Sequence, residues 1–276
     1  MAVSNLVSRL ATAAVGLPLL LILVYLAPEW AFFAVVAVAV GLASYELSCM
    51  LGPGDRVMQG ASVGLAVAVA AVLFWFHRDA LVLLTVILAA PIVAMVLVLW
   101  RLGDMGTAAM RLMAGVFGPL YVGGCLTTLA LLRAKFPGAE GAGYVVLALG
   151  LAWGSDTGGY FAGRRFGKRK LYEAVSPKKT VEGSVGGVLG ALVVAVCASL
   201  WLVESLPLAH AVCLAVGGAL LGQVGDLGES VLKRSTGVKD SGNLLPGHGG
   251  ILDRVDALMV TSTVVYLYTL WVGRFG

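Results

Sequence analysis

Charged residues are scarce in this sequence. Asp, Glu, Lys and Arg make up 12% of the 276 residues, where an ordinary soluble domain carries about 25%. Hydrophobic residues fill 59%, and mean hydropathy is +0.95. That balance excludes a soluble globular domain and predicts an integral membrane protein. Cysteine is also sparse: Cys49, Cys125, Cys197 and Cys213 include no C-x-x-C pair and all lie in or beside apolar stretches. They read as small packing residues, with no disulfide and no zinc expected. There is no long linker, no low-complexity segment and no convincing internal repeat, which argues against an inverted-repeat transporter. The net charge of +4 comes from short loops between apolar stretches. It therefore predicts no nucleic-acid partner, but membrane orientation and contact with anionic lipid or nucleotide.

What is present is a succession of apolar spans. They fall at about 10–27, 30–51, 58–76, 80–100, 110–133, 143–163, 184–204, 208–229 and 254–273. The expected fold is an all-α integral membrane protein, a polytopic bundle of about nine transmembrane helices forming one domain over 1–276. Arg9 and the first apolar run imitate a signal peptide, but no small-residue cleavage site separates them from the second span, so an uncleaved helix is expected. Pro18, Pro91 and Pro119 fall within or near spans, where neighbouring helices can satisfy freed carbonyls. Gly183/Gly187, Gly186/Gly190 and Gly218/Gly222 are G-x-x-x-G pairs, which let helices approach closely. A cytoplasmic N-terminus puts all but Arg78, Arg133, Lys135 and Arg274 of the 19 Lys and Arg on the cytoplasmic side. That bias predicts N-terminus in and C-terminus out.

The ionisable residues that do occur are concentrated between Ser230 and Asp256. This stretch holds Lys233, Arg234, Lys239, Asp240, His248, Asp253, Arg254 and Asp256. Asp253 and Asp256, three apart, share one face of any common helix. Gly249-Gly250 before them lets backbone approach a ligand. Paired carboxylates suit Mg²⁺, and Lys and Arg suit phosphate oxygens. Helix N-terminal carboxylates stabilised by the macrodipole are the plainer reading. Asp226, in G-Q-V-G-D-L-G-E-S, ends the eighth span. A carboxylate there costs about 2.5–3.5 kcal/mol on insertion scales, so it reads as a metal ligand facing Asp253 and Asp256, or as an interfacial helix end. Asp156, in W-G-S-D-T-G-G-Y, supports the metal cluster or satisfies a buried network. Ser176, Lys178, Lys179 and Thr180 lie in S-P-K-K-T, whose hydroxyls and amines can donate to phosphate. Arg164, Arg165, Lys168, Arg169 and Lys170 need be no more than positive loop residues. Lys233, Arg234 and Lys239 suit a triphosphate, with Asp240 orienting a lysine; a solvated loop face competes. Arg254 binds phosphate or headgroup, or snorkels. His248 is placed to hydrogen-bond phosphate or nucleotide, and is weak evidence for acid–base catalysis.

These residues also carry a resemblance. The string S-x-x-K-R, four residues, K-D, then P-x-H-G-G-x-x-D-R-x-D resembles the signature of the phosphatidate cytidylyltransferases. S-D-T-G-G-Y-F-A-G at Ser155–Gly163 and S-P-K-K-T-V-E-G at Ser176–Gly183 extend it, with Gly159 standing where the family would have alanine. Residues 1–140 match only as generic membrane helices, so the distinctive part is 141–276. The resemblance implies transfer of the cytidylyl group of CTP to phosphatidate in the bilayer of the inner (cytoplasmic) membrane. It implies Mg²⁺ held by Asp226, Asp253 and Asp256, with Asp156 as a further ligand, a second, monovalent cation and a homodimer left open. Catalytic roles fall to Asp226, Asp253, Asp256, Lys239 and Asp240, and substrate contacts to Ser176, Lys178, Lys179, Thr180, Lys233, Arg234, His248 and Arg254. The rivals are a CTP-dependent polyprenol or phytol kinase-like enzyme and a cation-coupled transporter. The complete string disfavours the first. Charges at helix ends rather than at the midplane disfavour the second. The D-G-x-x-A-R string of CDP-alcohol phosphotransferases is absent.

Overall fold

A computed structural model describes residue 14, residues 16–244 and residues 249–275 of the chain. Arg9 and His248 lie outside the described residues. The helices are α1 (Gly16–Leu26), α2 (Glu29–Leu51), α3 (Arg56–Phe76), α4 (Ala80–Trp100), α5 (Met105–Phe117), α6 (Gly124–Lys135), α7 (Ala139–Phe166), α8 (Val181–Trp201), α9 (Leu208–Ser235) and α10 (Leu252–Phe275). A π-helical turn, Gly118–Gly123, joins α5 to α6. Pro119, which lacks an N–H, sits at the start of that widened turn. The protein is all-α as expected, apart from one small antiparallel hairpin, β1 (Lys170–Tyr172) and β2 (Ser176–Thr180).

Among the described residues, seven stretches are long and apolar enough to cross a bilayer: α2, α3, α4, the continuous run Met105–Lys135, α8, α9 and most of α10. Two of the nine expected spans differ. The described part of the first is α1, too short to cross alone at 1.5 Å rise per residue. α7 is long enough at 28 residues. Its glycines, Asp156, Arg164 and Arg165 keep its hydropathy below that of the seven. The cause is its work: one face of α7 is glycine-rich for packing and its end is polar.

Helix starts follow local chemistry. Asp55 accepts from Met58 N–H, Asp79 from Leu81 and Val82, and Thr180 Oγ1 from Gly183 N–H, each satisfying donors that the first turn leaves free. The centre of the bundle is α6, buried continuously from Leu126 to Arg133 and surrounded by α2, α3, α7 and α10. Arg133 Nε donates to Val24 O at 2.7 Å, tying α1 in, and Thr128 Oγ1 donates to Ser262 Oγ at 2.9 Å, tying α10 in. At the opposite extreme, α4 turns Leu81, Leu99 and Trp100 outward.

The G-x-x-x-G spacing acts as expected. α7 packs most extensively on α8. A Cβ on Gly158 would run into Gly186 O, and one on Gly190 into Gly154 O. On α9, a Cβ on Gly222 would lie 2.8 Å from Thr261 Cγ2 of α10. Backbones this close gain dispersion contacts that larger side chains would forbid.

Candidate active site

Two helix crossings assemble the site. Where α9 meets α10, a Cβ on Gly225 would lie 2.9 Å from Asp256 O and 2.7 Å from Val260 Cγ2. That absent side chain lets the next residue, Asp226, come beside Asp256. Glu229, three residues further along α9, lies on the same face. Asp226, Glu229 and Asp256 are thus within mutual electrostatic reach. Asp156, on α7, reaches the same cluster through Asp226, with Lys179 and Arg254 also near it. Lys179 arrives from β2 and ion-pairs with Asp226. Its neighbour Lys178 is exposed, because successive strand residues face opposite ways.

A second, linked cluster forms one turn along. Lys233 Nζ lies 2.9 Å from Glu229 Oε2 and 2.6 Å from Asp253 Oδ1, and the lysine is buried. Asp253 Oδ2 accepts from Ser241 N–H, Ser241 Oγ and Gly250 N–H, each at 2.9 Å. Gly249 has φ +79°, a left-handed backbone in which a side chain would also press on Asp253 Oδ2. From the far half of the chain, Glu46 of α2 accepts from Ile251 N–H at 3.0 Å and Leu252 N–H at 2.8 Å, and its Oε2 lies 3.0 Å from Ser241 Oγ, whose single proton it shares with Asp253.

The donor chemistry suits a hard divalent cation. Asp156, Asp226, Glu229, Asp253 and Asp256 gather, and Glu229 Oε1 is buried with no hydrogen-bond partner. Among the described residues, no three acidic, histidine or cysteine side chains converge on one point. Two ammonium groups stand among the carboxylates instead, Lys179 on Asp226 and Lys233 between Glu229 and Asp253. The site is therefore balanced for positive charge and for the oxygens of a polyanion. It is built where the C-terminal ends of α2, α7 and α9 meet the N-terminal ends of α8 and α10.

Residues 7–272 match the model of the cytidylyltransferase family. The chain belongs to that family. It is 36% identical over 273 residues to the phosphatidate cytidylyltransferase of Pseudomonas aeruginosa, covering 97% of this chain and 98% of that protein. It is 42% identical over 147 residues to the phosphatidate cytidylyltransferase of Bacillus subtilis, covering 53% of this chain. A Staphylococcus aureus protein of the same name is 46% identical over 124 residues. In these last two matches the chain spans about half the length of the relative, 54% and 46%.

Within this cytidylyltransferase fold, Asp156, Lys179, Asp226, Lys233, Asp253 and Asp256 come together. Asp253 and Asp256, expected to share one task from their spacing, have different surroundings: Asp253 holds the loop and Lys233, while Asp256 faces Asp226 and Glu229. Thr180 Oγ1 caps α8. Arg234 Nη1 donates to Val238 O at 3.0 Å and closes the turn after α9. Lys239 and Asp240 are exposed on that loop, Ser176 begins β2, and Arg254 is exposed beside the cluster. Reading the sequence passed over Glu229 and Glu46. Each had a signal: an acidic residue within a largely apolar helix is costly unless something requires it.

Proposed function

We propose that the chain transfers the cytidylyl group of CTP to phosphatidate, giving CDP-diacylglycerol and pyrophosphate. The observation that carries this reading is the mixed carboxylate and lysine cluster at helix ends, with Lys179 on Asp226 and Lys233 between Glu229 and Asp253. A phosphate oxygen of phosphatidate attacks the α-phosphorus of CTP, and the bond from that phosphorus to the bridging oxygen of pyrophosphate breaks. The nucleophile is already an anion, so no strong base is needed. Asp226 and Asp256, with Asp156 and the unpartnered Oε1 of Glu229 beside them, are the residues that would hold Mg²⁺. When bound, that ion neutralises charge on the triphosphate and on the leaving pyrophosphate. Lys179 and Arg254 face the same space and bind phosphate oxygens, with Lys178 at its rim. The Lys and Arg bias of the sequence supports a cytoplasmic location for this side of the bundle, where CTP is.

The test is pyrophosphate release by the purified protein. Release that requires CTP, phosphatidate and a divalent cation together is the expected result, and excess chelator stops it. Transfer of the γ-phosphoryl group to an isoprenoid alcohol, or ion-driven uptake into liposomes without pyrophosphate release, would overturn the reading.

The two loop lysines separate by geometry. Lys179→Ala is expected to lower turnover about tenfold or more, since each tenfold corresponds to about 1.4 kcal/mol of lost transition-state stabilisation. Lys178→Ala, exposed, stays within about threefold on the same scale. Initial rates at saturating phosphatidate, with insertion checked for both variants, decide it. Equal losses would mean that Lys179 supplies no more than loop charge.

A further inference from the structure

We infer that Glu46, on the second helix, is a positioning residue for the acidic cluster, so that the N-terminal half of the chain sets the geometry of the site. The inference rests on the reading of that cluster as the cation and phosphate site.

Glu46 is 3% exposed. A carboxylate at that depth is costly unless hydrogen bonds compensate it. No lysine or arginine pairs with it among the described residues. Its partners are instead Ile251 N–H, Leu252 N–H and the Ser241 hydroxyl. The two amides belong to the start of α10, whose first N–H groups have no partner within the helix. Glu46 thus acts as an N-terminal cap supplied from another helix, favoured by the dipole of α10. Asp253 lies one residue after Leu252, and Asp256 one turn further. Holding Ile251 and Leu252 therefore fixes the rotation of α10 about its axis, and with it the direction of both carboxylates.

The surrounding residues fit this role. Ser241 Oγ lies 3.0 Å from Glu46 Oε2 and 2.9 Å from Asp253 Oδ2, so one hydroxyl joins the positioning carboxylate to a cluster carboxylate. A Cβ on Gly242 or on Gly250 would collide with the Glu46 side chain. Both glycines leave the space that Glu46 fills. Glu46 is buried and its oxygens are taken by Ser241, Ile251 and Leu252, so it acts through α10 and not on substrate.

The experiment compares the full-length parent with Glu46→Gln and Glu46→Asp. Gln keeps the shape but turns an NH₂ group toward backbone N–H donors; Asp keeps the charge and shortens the reach by one methylene. Mn²⁺ binding to each purified protein, without nucleotide, is titrated by electron paramagnetic resonance, and kcat and KM for CTP are measured separately. Outer partners of metal ligands typically affect affinity or activity about 10–100-fold. Glu46→Gln should weaken Mn²⁺ binding and lower kcat within that range, with KM for CTP nearly unchanged, and Glu46→Asp should fall between it and the parent. A purely structural role would lower the melting temperature without moving Mn²⁺ affinity. Parent-like Mn²⁺ binding and kcat in Glu46→Gln overturn the inference. If Glu46→Gln yields no folded protein, Glu46→Asp decides by the same titration: weakened binding supports the role and parent affinity overturns it. A parent that binds Mn²⁺ but releases no pyrophosphate overturns the proposed reaction alone, leaving the positioning role to the titration.

Discussion

Asp256→Asn is expected to lower cytidylyl transfer by about 10²-fold or more, the equivalent of several kcal/mol at the transition state, while the protein stays inserted and melts at or above the parent temperature. The two signs differ for a physical reason. Asp256 lies beside Asp226 and Glu229 on a crossing held close by Gly225. Three carboxylates in one partly buried space repel each other, and removing one charge relieves that repulsion. The amide keeps the shape and still offers an oxygen to Ala257 N–H, now 2.7 Å from Asp256 Oδ1. What it cannot do is supply negative charge to a cation on the triphosphate. Strain kept at a working site and released by disabling it is a familiar trade of stability against activity. The measurement is turnover at saturating Mg²⁺ alongside thermal melting in detergent. Activity within threefold of the parent would remove Asp256 from the proposed ion site and leave it to Asp226, Glu229 and Asp156.

Lys233→Met should do the reverse and damage the fold first. The ammonium lies between Glu229 and Asp253 on adjacent helices. Methionine keeps the apolar length of the side chain and removes the charge. Two carboxylates are then left facing each other, and losing one partner of a buried ion pair costs about 3–5 kcal/mol. Adding Glu229→Gln removes one of those charges and is expected to restore part of the melting temperature without restoring activity. If Lys233→Met melts with the parent, the ammonium is not holding α9 to α10, and its contribution is to phosphate binding, as the sequence alone suggested.

Much of this protein was legible before folding was considered. Hydropathy alone sets most of the spans, because a bilayer imposes length and apolarity on each segment independently. The charge-dense stretch from Ser230 to Asp256 and the S-P-K-K-T segment were local signals too, and each contributes residues to the same cluster. α7 was harder, since the glycines and polar groups that serve packing and the site dilute its hydropathy. The hairpin at Lys170–Thr180 leaves little trace in the sequence because its pairing, Lys170 with Thr180 and Tyr172 with Ser176, is short and its register shifts between the two pairs.

Only the tertiary structure could divide the labour among residues of one type. Lys178 and Lys179 are equivalent in sequence, and a single strand alternation separates them. Asp253 and Asp256 share a helical face, yet one turn carries the second from the loop to the α9 crossing. Glu229 gains its meaning from Gly225, which brings α10 near, and Glu46 from residues about 200 positions away. Spacing along the chain reports which side chains share a face. Which helix that face meets depends on close approaches between distant backbones, and those are decided only when the bundle packs.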